Sequence, residues 1–299
     1  MMTAAEGPHR VRCGEAVPGP AGATARILVA GDTHGNLDWI DTLAKLASRQ
    51  RCDGILQAGD FGFWPDLRHL RSHHEIVLND GWLDAVAERL AARGVWMRVI
   101  DGNHDAHGLA AASCPPGADL VAPVRSGLLD WATRGARWSW CGVRFGALGG
   151  AVSVDRDNRE EGISWWPTER ITDEDVDRLG DAPLDVLVTH DAPEGVRTRF
   201  VDIWPDGMAW GKAGAVSEAS RWQVERARQA TRPRLVVHGH YHLRHTSPMS
   251  RPPTVVEGLA SDQEADGGSW AVLELPSLRL TDGKAIARAV MRAIAEQQG

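Results

Sequence analysis

A chain of 299 residues with 43% hydrophobic residues has ample material for a buried core. Its formal net charge of −7 argues against long-range attraction to DNA or an anionic membrane. No apolar run approaches the roughly 18 residues that a spanning helix needs.

Residues 1–25 are rich in Gly, Ala and Pro and lack an apolar signal segment. They read as a disordered leader ahead of a single domain over 26–299. Arg26 to Ala30 is a short apolar strand that runs into Gly31-Asp32-Thr33-His34-Gly35. From Asn36 to Arg51, the residues Leu37, Ile40, Leu43, Leu46 and Ala47 share one helical face. A second strand, Gly54 to Ala58, leads to Gly59-Asp60. A helix near Leu83 to Arg93 precedes a strand at Val95 to Ile100, which delivers Gly102-Asn103-His104-Asp105. This βαβαβ succession predicts parallel strands with functional groups gathered at their C-terminal ends.

Arg137 to Gly149 predicts a hairpin turning near Cys141-Gly142. Thr172-Asp173-Glu174-Asp175 is an acidic capping signature that opens a short helix to Leu179. Leu184 to Thr189 is a strand ending at His190-Asp191, and Ala215 to Ala230 an amphipathic helix. The strand Leu235 to His238 precedes Gly239-His240-Tyr241-His242. Thr254 to Leu259 and Trp270 to Leu280 predict antiparallel strands on the far sheet, and Ala285 to Gln297 a terminal helix.

Five short motifs thus follow five apolar runs. A helix cap or a surface polar group explains any one of them, Asp32 for instance. Five in sequence point to a site. Their carboxylate, amide and imidazole donors suit Mn, Fe or Zn better than a thiophilic metal. Cys13, Cys52, Cys114 and Cys141 show no metal spacing and read as idle thiols in a reducing cytoplasm.

With D-x-H, GD, GNHD, a lone His and GHxH in that order, the chain from about Arg26 to Ala260 resembles the calcineurin-like metallophosphoesterase superfamily. The resemblance implies an α/β fold, a four-layer α/β/β/α sandwich with its site in the loops at the sheet edge. It implies two divalent ions, Mn²⁺ as the expected metal with Fe or Zn as alternatives. Asp32, His34, Asp60 and His242 would hold one ion, and Asp60, Asn103, His190 and His240 the other, with Asp60 bridging. His104 would protonate the leaving oxygen or stabilise the transition state, and Asp105 would orient it. The implied reaction is hydrolysis of a phosphate ester by a hydroxide bridging the two ions.

The superfamily's protein Ser/Thr phosphatases continue the second motif as GDxVDRG. Here Gly59-Asp60-Phe61-Gly62-Phe63-Trp64-Pro65 puts Trp64 where that phosphate-gripping Arg would stand. Phosphodiesters or nucleotides are therefore the expected substrates. A phosphomonoesterase, protein phosphatases included, and a non-catalytic scaffold of the same fold are the alternatives. A nuclease subunit is disfavoured by the acidic balance.

Arg156 and Arg159, near Gly149-Gly150, read either as a phosphate clamp replacing the missing Arg or as surface charges. Trp64, Trp165, Trp166, Trp204 and Trp210 offer a stacking wall for a nucleobase. Packing of the loops onto the sandwich is the stronger reading of those rings. His69 and His73 read as a solvated helix face, and His238 as a core or supporting residue. Gly207 to Ala213 is no P-loop, since Ala213 lacks the hydroxyl. The expected partner is a small phosphate ester or nucleotide, with no membrane, no strong nucleic-acid binding and a cytoplasmic location.

Overall fold

Strands β1 (Ala25–Ala30), β2 (Gly54–Gln57) and β3 (Trp96–Val99) lie side by side and parallel, as the βαβαβ pattern predicts. The computed structural model describes residues 23–62, 80–107, 120–125, 127–153, 155–198, 211–264, 267–286 and 288–289. Trp64, Trp204, Trp210, the His69 and His73 pair, Gly207 and nearly all of the expected leader lie outside the described residues. Helix α1 (Leu37–Arg49) joins β1 to β2 and starts at Asn36, whose side chain accepts a hydrogen bond from the Trp39 amide. Helix α2 (Asp80–Arg93) precedes β3.

Two strands that sequence periodicity did not reveal, β4 (Val121–Arg125) and β5 (Leu129–Ala132), extend this sheet, with β5 parallel to β3. The expected hairpin forms as β6 (Arg137–Trp140) and β7 (Val143–Leu148). Its turn residues Cys141 and Gly142 both have positive φ, 51° and 77°, the pattern of a tight two-residue connection. Helix α3 (Asp173–Leu179) carries the expected capping box between Thr172 and Asp175. Then come β8 (Val186–Thr189), α4 (Gly211–Thr231) and β9 (Leu235–His238). The chain continues through β10 (His245–Ser250), β11 (Pro253–Gly258), β12 (Trp270–Leu275) and β13 (Arg279–Asp282).

The first sheet runs β13-β12-β1-β2-β3-β5-β4 and the second β10-β11-β9-β8-β7-β6. One expectation is corrected. β11 does lie in the second sheet, parallel to β9, but β12 pairs antiparallel with β1 in the first. The run to Leu280 is also not one strand, because it breaks at Pro276 and folds back as β13. Alternating apolar residues announce a strand but not its neighbour.

Strand alternation builds the layers. Ile27, Val29, Leu56, Phe145, Val188 and Val237 fill the space between the sheets. Leu28, Ile55 and Met97 face outward onto Ile40, Leu43, Val86 and Leu90 of α1 and α2. Leu187 and Val236 meet Val176, Leu179 and Val224 of α3 and α4 on the other side. The result is the expected α/β/β/α sandwich. Among the described residues no helix is long and apolar enough to cross a membrane.

Candidate metal centre

All seven residues expected as metal ligands sit in loops at the C-terminal ends of β1, β2, β3, β8 and β9. Four of them hold a left-handed backbone: His34 at φ 45°, Asp60 at 54°, His240 at 67° and His242 at 51°. Such positions are strained for residues with a Cβ and persist only where their surroundings fix them. Here the loops fix one another. The amides of Thr33 and His34 donate to the Asp60 carbonyl at 3.1 and 2.8 Å, and Gly239 donates to the His190 carbonyl at 3.2 Å. A Cβ on Gly102 would stand 2.1 Å from Asp60 Oδ1, and one on Gly59 would stand 2.3 Å from the His190 ring. Both glycines are therefore required by the close approach of a candidate ligand.

The two carboxylates divide their oxygens alike. Asp32 Oδ1 accepts the His240 amide at 3.0 Å, and Asp60 Oδ1 accepts the His104 amide at 2.8 Å. Each Oδ2 is left facing imidazoles. Asp32 Oδ2 lies 2.9 Å from His242 Nε2 and 3.9 Å from His34 Nε2. Asp60 Oδ2 lies 3.6 Å from His34 Nε2 and 3.3 Å from His190 Nε2, so it stands between the two expected ion positions.

Asn103 turns its Oδ1 to His190 Nε2 at 3.1 Å. Its amide is set by an interior chain: Nδ2 donates to Ser153 Oγ at 3.1 Å, and Ser153 donates to Glu169 Oε2 at 2.5 Å. The His190 ring donates from Nδ1 to the Ala58 carbonyl at 2.8 Å, which leaves Nε2 for the centre. His240 Nε2 is buried without a hydrogen-bond partner. A buried orphan nitrogen beside carboxylates is what a metal ligand looks like, and this donor set of carboxylate, amide and imidazole fits borderline divalent ions.

Arg159 is the sixth loop's contribution. Its Nη1 and Nη2 each approach a ring nitrogen of His104 at 3.0 Å, while Nε is held by Asp155 at 2.8 Å. Asp105, expected as the carboxylate that orients His104, accepts the backbone amides of Phe61, Gly62 and Gly102 at 3.1, 2.7 and 2.8 Å. It clamps the second-motif loop to the third. Arg156 is exposed and stacks over Trp165, 4.0 Å from the ring centroid. Trp165 and Trp166 are buried, consistent with packing rather than an open wall. His238 is fully buried and 3.0 Å from His245 Nε2, in the supporting position expected of it. Asp262, Ser153 and Glu169 carry no motif signal, and sequence reading missed all three.

The imidazoles differ in charge. Burial by itself would lower His190, but Asp60 more than reverses this and lifts it to about 10. Burial and then His190 push His240 down to about 3. At neutral pH His190 thus carries a proton that an ion must displace, whereas His240 offers its lone pair directly. Metal loading is expected to release protons, so that apparent affinity rises between pH 6 and 8 by about tenfold per unit for each proton displaced. Calorimetric titration in buffers of different ionisation enthalpy counts those protons, and a count of zero would contradict the assignment.

A family model described as calcineurin-like phosphoesterase matches residues 25–244. Comparison with curated proteins by sequence gives no match. Among solved structures, TT1561 of Thermus thermophilus is 15% identical with a TM-score of 0.52, covering 88% of this chain and 100% of that one. A dimetal phosphatase from Danio rerio is 13% identical with a TM-score of 0.52, covering 83% and 91%. At these identities the likeness concerns the fold.

Proposed function

The chain belongs to the calcineurin-like phosphoesterase family, and we propose that it is a dinuclear metal-dependent hydrolase of phosphodiester or nucleotide-type substrates. One observation carries this reading: Asp60 Oδ2 stands between His34 and His190, with Asp32 and His242 grouped beside His34 and with Asn103 and His240 beside His190. Two divalent ions bound there would polarise the phosphoryl oxygens and supply a strong nucleophile from water near neutral pH.

The protein's own groups do the rest. Arg159 offers a planar fork of donors suited to phosphate oxygens, in the role left open where Trp64 replaces the expected Arg. His104 is held neutral, since burial lowers it to about 4 with Arg159 adding to the effect, and a neutral ring can donate to a leaving oxygen. Because the loops are tied to one another before substrate arrives, these donors need little reorganisation. A net charge of −7 does not oppose a small ester, because the ions supply local positive charge.

The test is hydrolysis of bis-p-nitrophenyl and mono-p-nitrophenyl phosphate by metal-stripped protein with and without Mn²⁺. Turnover should require the ion and favour the diester. Arg159→Ala should raise KM by about tenfold, the loss of one charge-assisted hydrogen bond. Preference for the monoester would make the protein a phosphomonoesterase, and two bound ions without turnover of either ester would favour a scaffold.

A further inference from the structure

Asp262 lies beyond the matched segment, in the connection between β11 and β12, and is attached to the first-motif loop at three points. Its Oδ1 is 3.1 Å from His34 Nδ1, its Oδ2 accepts Asn36 Nδ2 at 2.8 Å, and its amide donates to the Asp32 carbonyl at 3.0 Å. The connection is pressed onto this loop elsewhere too. Gly31 donates to the Ser269 carbonyl at 2.9 Å, and a Cβ at Gly31 would meet the Ala260 carbonyl at 2.2 Å.

The consequence for His34 is directional. A carboxylate can only accept, so the Nδ1 facing it carries the proton and Nε2 is the nitrogen turned to Asp32 and Asp60. His190 obtains the same orientation from a neutral carbonyl, that of Ala58. His34 obtains it from a charge, which also makes a ligand ring more basic. Its left-handed backbone needs such an external hold.

We propose that Asp262 is the positioning residue of the first ion's site, forming a carboxylate–histidine pair that aims His34 Nε2 at the metal. This rests on the dinuclear reading above. The competing role is a plain staple between two loops, and Asn36 separates the two. Asn36 is the other side chain bound to Asp262 and also the cap of α1, and its side-chain hydrogen bonds go to Asp262 and the Trp39 amide rather than to His34.

The experiment is Mn²⁺ titration calorimetry on metal-stripped wild type, Asp262→Ala, Asp262→Asn and Asn36→Ala, with folding checked by circular dichroism. Wild type should bind two ions. Asp262→Ala should weaken one of them by about 10–100-fold and spare the other. Asp262→Asn, which keeps an acceptor but loses the charge, should fall between. Asn36→Ala should melt earlier yet bind both ions like wild type. Two wild-type affinities in folded Asp262 variants would overturn the proposal, as would Asn36→Ala weakening Mn²⁺ as much as Asp262→Ala. Should Asp262→Ala fail to fold, Asp262→Asn decides. A wild type that binds no Mn²⁺ overturns the dinuclear reading itself, a failure distinct from either.

Discussion

Asp60→Asn is expected to reduce metal-dependent turnover at least about 10³-fold and to lower the bound metal from two ions per chain to one or none. The residue is 1% exposed, and its side chain faces His34, His190 and His104 through one oxygen, at 3.6, 3.3 and 3.9 Å. Asparagine has the same shape, can still accept the His104 amide, and tolerates the left-handed φ of 54° at this position. What it removes is the negative charge shared by both ion positions. Losing several kcal/mol of charge stabilisation in the transition state corresponds to three or more factors of ten in rate. Metal content by elemental analysis and turnover on bis-p-nitrophenyl phosphate should fall together, with the fold intact by circular dichroism. A variant that kept two ions and wild-type turnover would remove Asp60 from the centre.

The seven candidate ligands were legible because their loops are announced locally: an apolar run and then a polar residue that a strand end can present, with a glycine between them in every loop but that of His190. The glycines are explained after the fact by the ring and carboxylate that pass within a Cβ's reach of Gly59 and Gly102. Local signals also gave α1, the capping box of α3 and the turn at Cys141-Gly142. What failed was non-local. β12 has the composition of any buried strand, and nothing within it says that its partner is β1, more than two hundred residues earlier. Strand β10, with Pro248 and two Ser, is an exposed edge whose alternation is too polar to register. Asp262 and Glu169 are single acidic residues in loops, and their contacts with His34 and Ser153 arise from tertiary folding alone. Asp105 has a tertiary contact of the same kind: its oxygens accept amides of the second-motif loop, which its place beside His104 in sequence does not announce.

Arg134→Met should lower stability by about 3–5 kcal/mol, the usual loss when one member of a buried ion pair is removed. That is a large share of the roughly 5–15 kcal/mol typical of a folded domain. Arg134 is 1% exposed and donates from Nε and Nη2 to Asp101 Oδ2 at 2.9 and 2.6 Å. It also donates to the carbonyls of Arg170 and Glu169 at 2.6 and 3.1 Å. Asp101 is fully buried and immediately precedes Gly102-Asn103-His104, so the pair anchors the third motif from behind. Methionine keeps most of the apolar stem but abandons Asp101 in a dry interior, with His107 Nδ1 3.3 Å away. Burial would raise the Asp101 carboxyl, and Arg134 and His107 reverse this to hold it well below the ordinary carboxylate range. A depressed carboxylate contributes in full above its unfolded value, near 4, and its contribution fades as pH falls below that. Without Arg134 the same carboxyl titrates higher. The deficit of the variant should therefore be greatest at pH 7 and above and shrink on acidification towards pH 4, while Arg134→Met with Asp101→Asn should recover part of it. Urea unfolding across that range measures both effects. A deficit below about 1 kcal/mol that does not change with pH would show that the pair carries no such load.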